Sequence, residues 1–306
     1  LRLDRPQTNQ LTDSSSRLRR QLKAIVTAAL GAADAGHLVQ QSLASPDIVA
    51  SLHRALSVDV LAVGKAAGPM LAAFTATSPV PTRHTLSIGI HDAGHPLPDE
   101  RSVAAANQAL HMAAGTTERD LLVVLLSGGA SALMALPSDG LELADKQATV
   151  RRLLEAGADI TEVNTVRKHL SRIKGGRLAA ASAGPVLTLA VPDVVGDNLS
   201  VIGSGPTVAD ASTWNDALAV LDRRGGRRTF PAAAVAVLER GDRGELAETP
   251  KPGDTRLARS RAIVIGGRKE ALAGARHAAR ALGFHVHVLT EPVVGEARDA
   301  ARTYAQ

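Results

Sequence analysis

The chain has 306 residues, a formal charge of +5 and a pI of about 9.9, with 45% of its residues apolar and 21% charged. That balance is globular and allows two domains or one large α/β domain. No cysteine is present, which excludes a disulfide framework, a thiolate metal site and a cysteine nucleophile. Aromatics are only 2%, so the core has to be built from Ala, Val and Leu, and stacking platforms for single-stranded nucleic acid are not expected.

No apolar run approaches the roughly 18 residues needed to span a bilayer. The first ten residues, Leu1 to Gln10, hold no apolar segment of the signal-peptide kind. These features fit a cytoplasmic protein with no membrane or nucleic-acid partner. The chain lacks an initiator Met, as expected of one incomplete at its ends. The excess of positive charge fits either an Arg-rich surface or one site for an anionic ligand.

Taken in order, Thr12, Asp13 and Ser14 offer caps for a helix over residues 16–35, whose apolar positions from Leu18 to Leu30 recur at helical spacing and predict a packed face. Residues 58–63, all but Asp59 apolar and followed by Gly64, read as a buried parallel strand. A helix over 66–76, a strand over 86–90 and a helix over 100–114 follow. The clearest strand covers 121–126 and is closed by Ser127-Gly128-Gly129-Ala130-Ser131.

Two helices, 141–156 and 159–170, lead to a cation-rich stretch, Arg167 to Arg177, broken by Gly175-Gly176. A strand over 186–191 ends in a loop with Asp193 and Asp197. Helices over 213–222 and 231–239 precede a linker at 241–256 rich in Pro, Gly and charge. A strand–helix–strand–helix tail over 262–265, 269–282, 285–289 and 295–305 completes the chain. Strands alternating with helices predict an α/β fold: three layers, Rossmann-like, around a largely parallel sheet, with the beginning of a second α/β domain. The expected division is a domain over 14–240, the linker 241–256 and a βαβα segment over 257–306.

Ligands in such sheets bind beyond the carboxyl ends of the strands, where every Gly- or charge-bearing junction of this chain falls. Lys65 reads either as a solvated surface lysine or as a phosphate contact beside a helix N-terminus. No Walker spacing surrounds it. The 127–131 loop reads either as a tight turn with a serine cap or as a backbone cradle for phosphate or carboxylate. His95-Pro96 reads as a turn whose imidazole can donate a hydrogen bond.

The cations from Arg167 to Arg177 read as a basic face or an anion clamp, and Arg167, His169 and Lys174 cannot share one face. Asp193 and Asp197 read as turn formers or as Mg²⁺ ligands. No Gly-x-Gly-x-x-Gly follows a strand, which counts against a nicotinamide enzyme.

Val63-Gly64-Lys65-Ala66-Ala67, Gly94-His95-Pro96-Leu97-Pro98-Asp99, Leu126 to Leu133, Asn164 to Ser171, Lys174 to Ala179, Asp193 to Asp197 and Ser204-Gly205-Pro206-Thr207 occur in that order. As an ordered set they strongly resemble the class II glycerate kinases, a family that also carries a hydroxypyruvate reductase label. Gly295 to Arg298 resembles the same family further along. The likeness covers most of Leu18 to Arg302.

The resemblance implies transfer of the ATP γ-phosphate to glycerate, giving 2-phosphoglycerate with Mg²⁺, in a cleft between two α/β domains. Carried residue by residue, it implies catalytic roles for Lys65, Arg167 and Lys174. It implies nucleotide-side roles for Gly64, His95, Ser127, Gly128, Gly129, Ser131, Ser204 and Gly205, and metal binding by Asp193 and Asp197. A homodimer is one possible assembly.

Two departures are small: Asp197-Asn198 stands where the family often pairs two acidic residues, and Ser-Gly-Gly-Ala where it often has Ser-Gly-Gly-Gly. Family members also continue into a C-terminal domain bearing a Gly-Gly-Arg-Asn-Gln-Glu motif. The chain stops before it at Gln306, so a fragment or truncated member is expected. The other readings are a hydroxy-acid oxidoreductase and a non-catalytic nucleotide- or anion-binding protein.

Overall fold

The computed structural model describes residues 7–192, 198–289 and 296–304. In chain order the elements are α1 (Gln7–Ala32), α2 (Ala35–Ser42), α3 (Pro46–Arg54), β1 (Val58–Val63), α4 (Ala67–Thr77), β2 (His84–Ile88), α5 (Glu100–Ala114), β3 (Leu121–Ser127) and α6 (Ala130–Leu133). They continue with α7 (Leu143–Glu155), α8 (Ile160–His169), α9 (Arg177–Ala180), β4 (Val186–Val191), α10 (Trp214–Arg223), α11 (Ala232–Asp242), β5 (Ser260–Val264), α12 (Arg268–Ala281) and α13 (Ala297–Tyr304).

The chain forms two compact units, one from Ala35–Gly267 and one from Leu1–Asp34 with Arg268–Gln306. The larger unit holds a five-stranded sheet in the order β2-β1-β3-β4-β5 with every pairing parallel. All residues of β1 and β3 are buried, as expected of largely apolar strands covered on both faces, and the buried Asp59 of β1 is paired with Arg83.

Alternate residues feed two cores. Leu61, Val63, Leu122, Val124 and Leu126 pack under α5, α6 and α9. Val60, Ala62, Val123 and Leu125 meet α2, α3 and α4 on the other face. A third cluster joins α7, α8, α10 and α11 around Trp214, Leu218 and Leu221.

Local chemistry sets the helix starts. Asp99 caps α5 in a box with Ser102, Asp159 caps α8 with Glu162, and Thr213 caps α10 with Asp216. The strand order reverses direction between β1 and β3, which makes the loops after those two strands the topological switch point.

The smaller unit pairs α1 with α12. A Cβ on Gly274 would stand 2.5 Å from the Ala28 carbonyl oxygen, so only glycine allows this approach. Among the described positions of α1, Gln21, Ile25, Ala28, Ala29 and Ala32 are half-buried, whereas Leu18, Leu22, Val26 and Leu30 are exposed. The apolar periodicity therefore predicted the helix correctly but not the full width of its buried face.

The boundaries also differ from the sequence expectation. The strand after the 241–256 linker is β5, which pairs with β4 in the first sheet, and the contacts divide the chain after Asp34 and Gly267. Residues 285–289, expected as a strand, carry no strand pairing. Among the described residues no single helix is long and apolar enough to cross a membrane.

Candidate active site

The loops after β1 and β3 touch through glycine. Gly64 adopts φ +126°, and a Cβ there would sit 2.2 Å from Ser127 Oγ and 2.5 Å from the Ser127 carbonyl oxygen. The Lys65 N–H donates to the Gly128 carbonyl at 2.7 Å, and the Ala66 N–H to Ser127 Oγ at 3.1 Å. Ser127 is buried, and its hydroxyl is directed at the Val63 carbonyl at 3.4 Å. Its side chain therefore braces the two loops.

Gly129 then turns at φ +86°, and a Cβ there would meet Lys65 Cγ at 3.1 Å and the His95 ring at 3.2 Å. Three sequence-distant candidates, Lys65, His95 and Gly129, thus converge at the switch point.

Beside them lies a cavity of about 300 Å³ lined by His95, Gly129, Ser131, Lys146, Arg167 and Lys174, with Arg151 and the apolar Leu97, Val150 and Leu154 on its walls. Two of its cations are already engaged. Lys174, only 1% exposed, donates to the carbonyls of Ser131 (2.9 Å), Met134 (3.2 Å) and Gly203 (3.3 Å). Burial, reinforced by the nearby charge of Arg167, pushes its ammonium down to about 7. Lys146 donates to the carbonyls of Leu170 (2.5 Å) and Arg167 (3.3 Å), and burial holds it well below the ordinary lysine value.

Arg167 is different. It is half-buried, its pKa is lowered by burial, and among the described residues its guanidinium has no hydrogen bond or ion pair. A half-buried arginine beside two buried lysines favours an anionic ligand in fork geometry.

The neighbours of Arg167 on α8 turn inward instead. Lys168 pairs with Asp210 at 3.2 Å, and Asp210 also accepts from Ser212 and Thr249. His169 is fully buried, with Nδ1 2.8 Å from the Thr165 carbonyl and Nε2 3.0 Å from Glu248 Oε1. Burial alone would raise the Glu248 carboxyl, but the bonds from His169 and the Thr249 N–H bring it to about 2. Arg177 donates to the Lys168 and Ala247 carbonyls and lies over the Trp214 ring at 5.9 Å. Of this basic stretch, Arg167 faces the cavity with its charge uncommitted.

Ser204 and Gly205 form a supporting tier. Ser204 is buried at φ +62°, a costly conformation for a residue with a Cβ. Its carbonyl accepts from the Gly175 N–H at 3.1 Å, and the Gly205 carbonyl accepts from the Gly176 N–H at 2.7 Å. Asp193 and Asp197, expected as metal ligands, lie outside the described residues, as does Gly295. Among the described residues no group of three or more His, Asp or Glu side chains could hold a metal ion.

Sequence reasoning gave no individual role to Lys146 and Arg151 on the cavity wall, nor to Asn164, Asp210 and Glu248, which build the inner network.

A family described as "Domain of unknown function (DUF4147)" matches residues 21–239. A glycerate 2-kinase of Pyrococcus horikoshii is 41% identical over 213 residues, 70% of this chain and 48% of the relative. A D-glycerate 2-kinase of Thermotoga maritima is 39% identical over 71% of this chain and 49% of its own length. The crystal structure of a glycerate kinase from T. maritima superposes with a TM-score of 0.75 at 32% identity, covering 95% of this chain and 69% of that one. The chain spans about half the length of these two curated relatives. A match over most of the chain, relatives near 40% identity and a shared fold converge on one conclusion: the protein belongs to the DUF4147 family and is a member of the glycerate 2-kinase family.

Proposed function

We propose that the cavity holds glycerate against the phosphates of ATP, and that the γ-phosphoryl group passes to a glycerate hydroxyl to give 2-phosphoglycerate. The observation that carries this reading is the meeting of Lys65, Gly129 and His95 at the switch point, beside the uncommitted Arg167. Phosphoryl transfer asks a protein chiefly to position its reactants and to neutralise charge. Lys65 neutralises charge developing on the transferred group. The Gly128-Gly129 turn keeps the backbone low enough for a phosphate to approach, and Arg167 takes the glycerate carboxylate. Lys174, Ser127, Ser204 and Gly205 hold these parts in place.

Asp193 and Asp197 are the proposed protein ligands of Mg²⁺, which would screen the phosphate charge when bound with the nucleotide. The relatives named as glycerate kinases support the substrate and the nucleotide. A hydride-transfer reading lacks a dinucleotide fingerprint after any strand.

The test is ADP release by this chain with ATP, Mg²⁺ and D-glycerate. Release that requires glycerate supports the reading. A folded chain that binds neither ATP nor glycerate would refute it.

A further inference from the structure

Ser131 stands on the cavity wall with its Oγ 2.9 Å from Ser204 Oγ. The fully buried Ser204 hydroxyl donates to Asn164 Oδ1 at 2.8 Å. A hydroxyl has one proton to give. With the Ser204 proton committed to Asn164, the bond between the two serines has to be donated by Ser131. Its own proton is then spent inward, and Ser131 presents lone pairs to the cavity. Asn164 is 3% exposed and anchors the chain through its carbonyl oxygen, while its Nδ2 has no hydrogen-bond partner. Lys174 fixes the backbone of the same residue by donating to the Ser131 carbonyl.

An oxygen that can only accept is a poor neighbour for a phosphate or carboxylate oxygen and a good one for a hydroxyl. The chain Ser131–Ser204–Asn164 also ends in an amide carbonyl, which does not take up a proton at ordinary pH. Ser131 therefore cannot remove the proton of a reacting hydroxyl; it can hold one that keeps its proton.

We infer, resting on the kinase reading above and in place of the nucleotide-side role that the family resemblance implies, that Ser131 accepts a hydrogen bond from the glycerate hydroxyl that is not phosphorylated. With transfer to the 2-position, that group is the hydroxymethyl end of the substrate. Ser131 then belongs to acceptor-substrate specificity, with Ser204 and Asn164 as positioning residues that set its polarity. A site built to bind a hydroxyl discriminates against the analogue lacking it, because its own buried polar atom is left unpaired.

The experiment is calorimetric titration of wild type, Ser131→Ala and Ser131→Thr with D-glycerate, with D-lactate (methyl in place of hydroxymethyl) and with ADP. Thermal unfolding of each variant shows that it is folded. Ser131→Ala should weaken glycerate about tenfold or more, leave lactate and ADP within about twofold, and be rescued by Ser131→Thr. Unchanged glycerate affinity in Ser131→Ala, whatever happens to ADP, would overturn the assignment. Equal weakening of glycerate and lactate would also overturn it, because the role would then be structural. A wild type that binds ADP or lactate but not glycerate overturns it as well, and one that binds neither ADP nor glycerate removes the kinase reading itself.

Discussion

The buried ammonium of Lys174 donates to the carbonyl of Ser131 across 2.9 Å, tying the stretch after α8 to α6, the short helix that follows β3. The same nitrogen reaches Met134 and Gly203, so one side chain joins three segments of the site. Lys174→Met keeps the apolar stem but leaves three carbonyls without their donor. The expected loss is about 2–4 kcal/mol of unfolding free energy, read from denaturant midpoints at unchanged m-value.

Lys174 also carries a pH signature. Its pKa falls from the ordinary lysine value to about 7 on folding because burial disfavours the ammonium. Between about pH 7 and the unfolded value, the unfolded chain holds a proton that the native chain has begun to release. The Lys174 contribution to stability therefore rises with pH across that window and is flat below it. Unfolding titrations from pH 6 to 10, compared with Lys174→Met, should show wild type gaining relative to the variant above pH 7. Parallel curves would refute the depressed pKa.

The contact between Gly64 and Ser127 has no room for a side chain. In Gly64→Ala the new Cβ would be driven into Ser127 backbone at a φ that alanine avoids. Destabilisation of about 3 kcal/mol or more is expected, with Lys65 displaced. Thermal unfolding checks the first effect and loss of nucleotide affinity the second.

Arg167 should act on binding more than on folding, because no protein partner among the described residues depends on its guanidinium. Arg167→Ala is expected to raise the KM for glycerate roughly ten- to a hundredfold, the range for a lost bond to a charged group. Arg167→Lys should recover only part of that, since an ammonium does not reproduce the fork. A large loss of stability in Arg167→Ala would assign it a structural place instead.

Much of this arrangement was legible in the sequence where one local rule decides. Val58–Val63 and Leu121–Ser127 are short and almost wholly apolar, the pattern of buried parallel strands. The glycines after them marked the ligand-binding ends of the strands, and the strand order then made those two loops the switch point. Where tertiary packing decides, the sequence was mute. Helices α2 and α3 are eight and nine residues long, too short for their periodicity to stand out. Residues His285-Val286-His287-Val288-Leu289 alternate like a half-buried strand, but among the described residues β5 is the outermost strand on that side of the sheet and pairs only with β4. The cation-rich stretch was visible, yet which cation stays uncommitted depends on where Asp210, Glu248 and the Ser131 carbonyl lie in space. That turned Lys168, His169 and Lys174 inward and left Arg167 outward.

The most direct measurement of the central claim is the turnover of Lys65→Ala with ATP, Mg²⁺ and D-glycerate, set beside its thermal stability. If Lys65 neutralises the transferring phosphoryl group, kcat falls about a hundredfold or more, while Tm stays within about 2 °C because the side chain is exposed. A variant that keeps its turnover, or loses turnover and stability together, would contradict the account.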